Sequence, residues 1–105
     1  MVIEFLKFKV APGLREKFVQ QDAEIWTTVL TGCSGFLGKE VWIDPKDTTG
    51  VVLVIRWAKR EQWKSISQKL LDATEKKFAQ QMGNTYYMIE SDEYQVRKFP
   101  QTEMR

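Results

Sequence analysis

The stretch Val51-Val52-Leu53-Val54-Ile55 constrains the fold of this chain more than any other. Its five consecutive aliphatic residues, mostly β-branched, favour an extended backbone. The run is short, follows the polar turn Pro45 to Gly50, and closes in Arg56-Trp57. It therefore reads as a strand that is apolar on both faces, which belongs in the middle of a sheet. In a 105-residue chain with 43% hydrophobic residues, that strand predicts one domain over residues 1–105.

The flanking sequence supplies the other elements. Val2 to Val10 reads as a first strand, with Glu4, Lys7 and Lys9 interrupting an apolar run. Ala11-Pro12-Gly13 punctuates, with Pro12 where a first helical turn tolerates it, and a helix is predicted from Gly13 to about Leu30. At about 100° per residue its apolar stripe is Leu14, Phe18, Ile25 and Val29, widened by Val19, Trp26 and Leu30. A Gly-Ser loop leads to a second strand over Phe36 to Asp44. A second helix is predicted from about Arg60 to Met82, with Trp63, Ile66, Leu70, Leu71, Thr74 and Phe78 on one face and Gly83-Asn84 ending it. Tyr86 to Glu90 is a fourth strand, and Tyr94 to Phe99 a short fifth.

The order β-α-β-β-α-β predicts a ferredoxin-like α+β fold, a four-stranded antiparallel sheet with two helices on one face. Strands one and three are apolar on both sides: Ile3 and Phe5 oppose Leu6, Phe8 and Val10, and Val52 and Val54 oppose Leu53 and Ile55. One helical layer covers only one face. The other is expected to meet a second copy, giving a two-fold homodimer through the sheet face.

Composition removes several chemistries. The chain has no histidine, which excludes histidine metal sites, Ser-His and Cys-His pairs and imidazole acid–base work. Cys33 is the one cysteine, so neither an intrachain disulfide nor a CxxC motif exists, and its Gly-Ser loop has no positive cluster to activate it. Sixteen basic residues against fourteen acidic ones leave +2, too little for a nucleic-acid footprint. An RNA-recognition module shares the element order but carries stacking aromatics on its third strand, which here is aliphatic until Trp57. No run approaches the ~20 apolar residues of a membrane span, and MVIEFLKFKV lacks the features of a signal peptide. The expectation is a soluble, cytoplasmic protein with no metal and no cofactor.

Asp22 is the most informative single residue. It lies between the two halves of the first helix's apolar face, where a carboxylate must be paired, hydrogen-bonded or facing a cavity. Desolvation would raise its pKa and suit it to act as a general base; alternatively it occupies a gap in the stripe and reaches water or caps a loop. Trp26, Trp42, Trp57 and Trp63 either wall a pocket for a flat aromatic or fill core and interface, with Ile66 and Leu70 completing such a pocket. Arg56, opposite Trp57 on its strand, either orients an anionic ligand or stabilises a developing oxyanion, or pairs with a carboxylate such as Glu40 or Glu90 in the dimer interface. Lys77 and Gln81 snorkel, and Tyr86 and Tyr87 present one phenol to each face.

Three segments carry a family likeness. Val10-Ala11-Pro12-Gly13 resembles the exit of strand one, Gly35-Phe36-Leu37-Gly38-Lys39-Glu40-Val41 the Gly-Phe-x-Gly start of strand two, and Trp57 with Arg60-Glu61-Gln62-Trp63 the end of strand three and the aromatic opening helix two, all as found in antibiotic biosynthesis monooxygenase domains. From Val2 to about Glu90 the chain resembles that branch of the dimeric α+β barrel superfamily, including its cyanobacterial members. The resemblance implies a cofactor-independent oxygenase of an aromatic phenol or quinol and matches Trp57 and Trp63; in such an enzyme Asp22 would be the base, Trp57 and Trp63 the walls and Arg56 or a tyrosine the donor. It equally accommodates a non-catalytic small-molecule-binding protein of the same fold. The strand-one asparagine of the family's haem degraders is missing near Leu6 and their helix-two histidine has no counterpart, so haem chemistry ranks last; Ile66 stands where many members carry a histidine after the helix-two aromatic. The strand-three asparagine of its cofactor-free oxygenases is replaced near Leu53.

Overall fold

The computed structural model describes residues 1–98. Two strands, β1 (Val2–Val10) and β3 (Gly50–Trp57), occupy the centre of one sheet, flanked by β2 (Phe36–Ile43) and β4 (Tyr86–Gln95) in the order β2-β3-β1-β4. Every neighbouring pair is antiparallel, which is the predicted ferredoxin-like arrangement. Val51, Leu53, Ile55 and Trp57 of β3 meet the helices, together with Val2, Leu6, Phe8 and Val10 of β1. Their alternation partners Ile3, Phe5, Val52, Val54 and Arg56 face the other way.

The first helix starts at Arg15 rather than Gly13. Gly13 has φ +83, and the Leu14 N–H donates to the Ala11 carbonyl at 3.1 Å, so Pro12-Gly13 forms a turn ahead of the helix. From there α1 (Arg15–Gln21) runs into a π-helical turn (Asp22–Thr27) and then α2 (Thr28–Leu30) without leaving helical backbone angles. The wider π turn rephases the apolar stripe. Leu30 therefore enters the core, at 4% exposure, where uninterrupted α periodicity favoured Val29.

The second helix is two helices, α3 (Arg60–Lys64) and α4 (Gln68–Met82). The chain breaks at Ser65-Ile66-Ser67, and the Ser67 hydroxyl caps α4 by accepting the Leu70 N–H at 3.2 Å. This break turns Leu70 outward, where it is 40% exposed, and the buried face of α4 is Thr74, Phe78 and Met82. Gly83, at φ +66, ends α4 as expected. Phe18 and Phe78 meet edge to face at 5.2 Å and join the two helical segments over the sheet.

The predicted fifth strand is a continuation of the fourth. Ile89 is an extra residue opposite the Lys7/Phe8 step, and this bulge lets β4 follow β1 along its full length. Tyr94 and Gln95 thus pair with Ile3 and Val2; Phe99 lies outside the described residues. Among the described residues, no helix is long and apolar enough to cross a membrane.

Candidate functional site

A cavity of about 640 Å³ lies between the sheet and the helices. Leu6, Phe8, Leu53 and Ile55 form its floor; Phe18, Trp26 and Leu30 close one side, and Trp63, Ile66 and Leu71 the other. A mostly apolar chamber of this size suits a small molecule. Two serine-flanked features shape its far wall: the break between α3 and α4 brings Ile66 to the cavity, and the Ser67 cap restarts the helix so that Leu71 follows it.

Asp22 opens the π turn of the first helix and points into this space. Its carboxylate meets the Lys39 ammonium at 2.6 Å, and the two side chains are only 2% and 3% exposed. Lys39 reaches it because the β2–β3 register slips between Phe36 and Gly38, and this bulge sets the following residues with Lys39 on the helix side. Burial raises the proton affinity of Asp22, and the charge and hydrogen bond of Lys39 pull it back. The helix irregularity and the strand irregularity thus meet at one ion pair.

A second carboxylate lies on the floor. Glu4 of β1 accepts the Trp57 indole N–H at 3.1 Å, and burial raises its pKa against the opposing effects of that bond, Lys64 and Lys39. Trp57 itself is fully buried and packs edge to face on Phe36 at 5.7 Å. The Lys64 ammonium sits 4.0 Å from the centre of the Trp63 ring. Farther along the wall the Tyr86 hydroxyl donates to Glu75 at 2.5 Å; burial and that carboxylate hold the phenol protonated well beyond its usual range.

The structure therefore brings together Asp22, Trp26, Trp57, Trp63 and Ile66 of the residues singled out in the sequence. It leaves Arg56, Leu70 and Trp42 outside. Arg56 alternates with Trp57 and so lies on the helix-free face, where its guanidinium donates to Glu40 at 3.1 Å; this is the pairing alternative. Leu70 is displaced by the helix break. Trp42 also lies off the cavity, 48% exposed, with its indole N–H on Glu40 at 2.9 Å. Two residues went unread, Glu4 and Lys39. Glu4 is in phase with Val2, Leu6, Phe8 and Val10, so alternation along β1 groups it with that face, and only the packing of the helices puts the face inside.

The family described as antibiotic biosynthesis monooxygenase matches residues 1–69, which carry β1 through the start of α4. No curated protein matches the sequence. Solved structures resemble the fold along almost the whole chain. A cofactor-independent oxygenase from Streptomyces nogalater superposes with a TM-score of 0.69 at 12% identity, covering 93% of this chain and 95% of its own. A monooxygenase from Streptomyces coelicolor, solved in complex with nanaomycin D, gives a TM-score of 0.74 at 13% identity, covering 97% and 92%. A conserved protein from Methanosarcina mazei gives 0.66 at 11% identity, covering 91% and 92%. At such identities the likeness is one of fold.

Proposed function

The chain belongs to the antibiotic biosynthesis monooxygenase family, and on that premise we propose that it is a cofactor-independent monooxygenase of an aromatic phenol or quinol. The observation that carries this reading is the buried Asp22–Lys39 pair facing an apolar cavity walled by Trp26, Trp57 and Trp63. A hydroxyl at pKa ~10 gives its proton to an ordinary carboxylate only against a gradient of about 8 kcal/mol. Burial of Asp22 narrows that gap. Once Asp22 is protonated, Lys39 loses its anionic partner and is free to face the new phenolate, so the ion pair is exchanged rather than lost. Lys39 takes the donor role that the sequence suggested for Arg56.

The ionised substrate passes one electron to dioxygen, and the resulting substrate radical and superoxide combine to form a C–O bond. Asp22 returns its proton to the peroxide. Where the attacked carbon carried two hydrogens, loss of water leaves a ketone, so CH₂ and O₂ become C=O and H₂O. The protein supplies position, a base and a dry cavity.

The test is oxygen uptake by chelator-treated protein with anthrones, naphthoquinols and hydroquinones, measured against each compound's autoxidation. Uptake above that background, reduced by about 10²–10⁴ in Asp22→Asn, is expected for a general base. An unchanged rate in Asp22→Asn removes Asp22 from the mechanism. No uptake above background, with the aromatics still bound, favours the non-catalytic binding protein. We further propose that two copies pair through the helix-free sheet face, where Ile3, Phe5 and Val52 lie beside the exposed Trp42 and Tyr94.

A further inference from the structure

The polar groups around the cavity say more about its ligand than its volume does. Four carboxylates reach the wall, Glu4, Asp22, Asp72 and Glu75, against two ammonium groups, Lys39 and Lys64. Both cations are engaged, Lys39 on Asp22 at 2.6 Å and Lys64 over the Trp63 ring at 4.0 Å. An aromatic acid entering here would give up its hydration, meet a net negative wall, and find each lining ammonium already engaged.

Two of the four carboxylates are also committed: Asp72 accepts from the Gln68 amide at 2.8 Å and Glu75 from the Tyr86 hydroxyl at 2.5 Å. Glu4 is different. One of its oxygens accepts the Trp57 N–H at 3.1 Å, and among the described residues no other hydrogen bond reaches the group. A carboxylate accepts through about four lone-pair positions, so most of its capacity is open beside the apolar floor. Its complement is an uncharged hydroxyl, which satisfies the half-buried acceptor without adding charge. Asp22 and Glu4 come from opposite layers, helix and sheet; Glu4 and Lys39 flank Ile55 in the same cross-strand row, and Lys39 holds Asp22 at 2.6 Å, so the two acceptors line one polar region of the cavity.

Resting on the aromatic-binding reading above, we propose that Glu4 determines specificity in this cavity, accepting a second hydroxyl of an uncharged dihydroxy aromatic, and that the site turns away aromatic acids. The ligand is then held by one hydroxyl on Asp22, the group that reacts, and one on Glu4, the group that orients.

Matched probes test this without turnover: 2,6-dihydroxynaphthalene, 2-naphthol and 6-hydroxy-2-naphthoic acid, titrated calorimetrically under anaerobic conditions into wild type and Glu4→Gln. The diol is expected to bind on the order of tenfold to a hundredfold more tightly than the mono-ol, the range of a hydrogen bond to a charged group, with the acid weakest. Glu4→Gln keeps an acceptor for the Trp57 N–H while removing the charge; it should lose most of the diol's advantage and gain affinity for the acid. Equal binding of diol and mono-ol, acid binding as tight as the diol, or an unchanged ratio in Glu4→Gln overturns the assignment of Glu4 and leaves the aromatic cavity standing. Binding of none of the three overturns both.

Discussion

Glu4 and Asp22 are carboxylates held where water is scarce, and both carry a consequence for stability. Because burial raises its pKa, the folded protein holds the Glu4 proton more tightly than the unfolded chain does. Stability from this group therefore falls as pH rises from the ordinary value of 4.5 through the raised one. Asp22 acts in the same direction from 3.8. Asp47 and Glu93 act oppositely: hydrogen bonds from Thr49 and Lys9 to one, and from Arg60 to the other, lower their pKa, so their contribution is lost as pH falls through those lowered values. Glu4→Gln removes only the first of these effects. Urea midpoints compared between pH 4 and 7 should show the variant gaining on wild type as pH rises; parallel curves would mean that Glu4 titrates as it does in the unfolded chain.

Local irregularities in the elements build the cavity. The π turn at Asp22–Thr27 and the bulge between Phe36 and Gly38 aim Asp22 and Lys39 at each other. The break before α4 sets Ile66 and Leu71 on the wall and removes Leu70 from it. Ser67 anchors that break through one hydrogen bond to the Leu70 N–H. Ser67→Ala should lower stability by about 1 kcal/mol, the usual contribution of a helix cap. Thermal unfolding reads the loss, and an unchanged midpoint would mean that solvent caps the helix equally well.

On the scale of the whole molecule, the sheet is covered on one side only. The uncovered side combines half-buried Ile3, Phe5 and Val52 with exposed Trp42 and Tyr94, and carries the Arg56–Glu40 pair among them. A partner with the same surface would cover this face by a two-fold axis. Light scattering on the eluting wild-type protein should give twice the 12.3 kDa chain mass, and Val52→Asp, which sets a carboxylate in the centre of that face, should give one chain mass. A monomeric wild type would refute the pairing.

Much of this architecture was legible in the chain alone. The aliphatic run at Val51–Ile55 required a central strand, alternation and turn residues ordered the other elements, and Asp22 stood out as a carboxylate within an apolar helix face. Short-range periodicity is enough for such features, because each depends on neighbours one turn or one pleat away. It was not enough for the site. On β1 and β3 both faces are apolar, so alternation sorted residues into two sets without saying which set met the helices; Glu4 and Trp57 fell inside and Arg56 outside only when the layers packed. The pairing of Asp22 with Lys39 joins a helix to an edge strand through a π turn and a bulge, each adding one residue to a regular repeat. A rephasing of that kind is decided by what each face must bury, and that is a property of the tertiary structure.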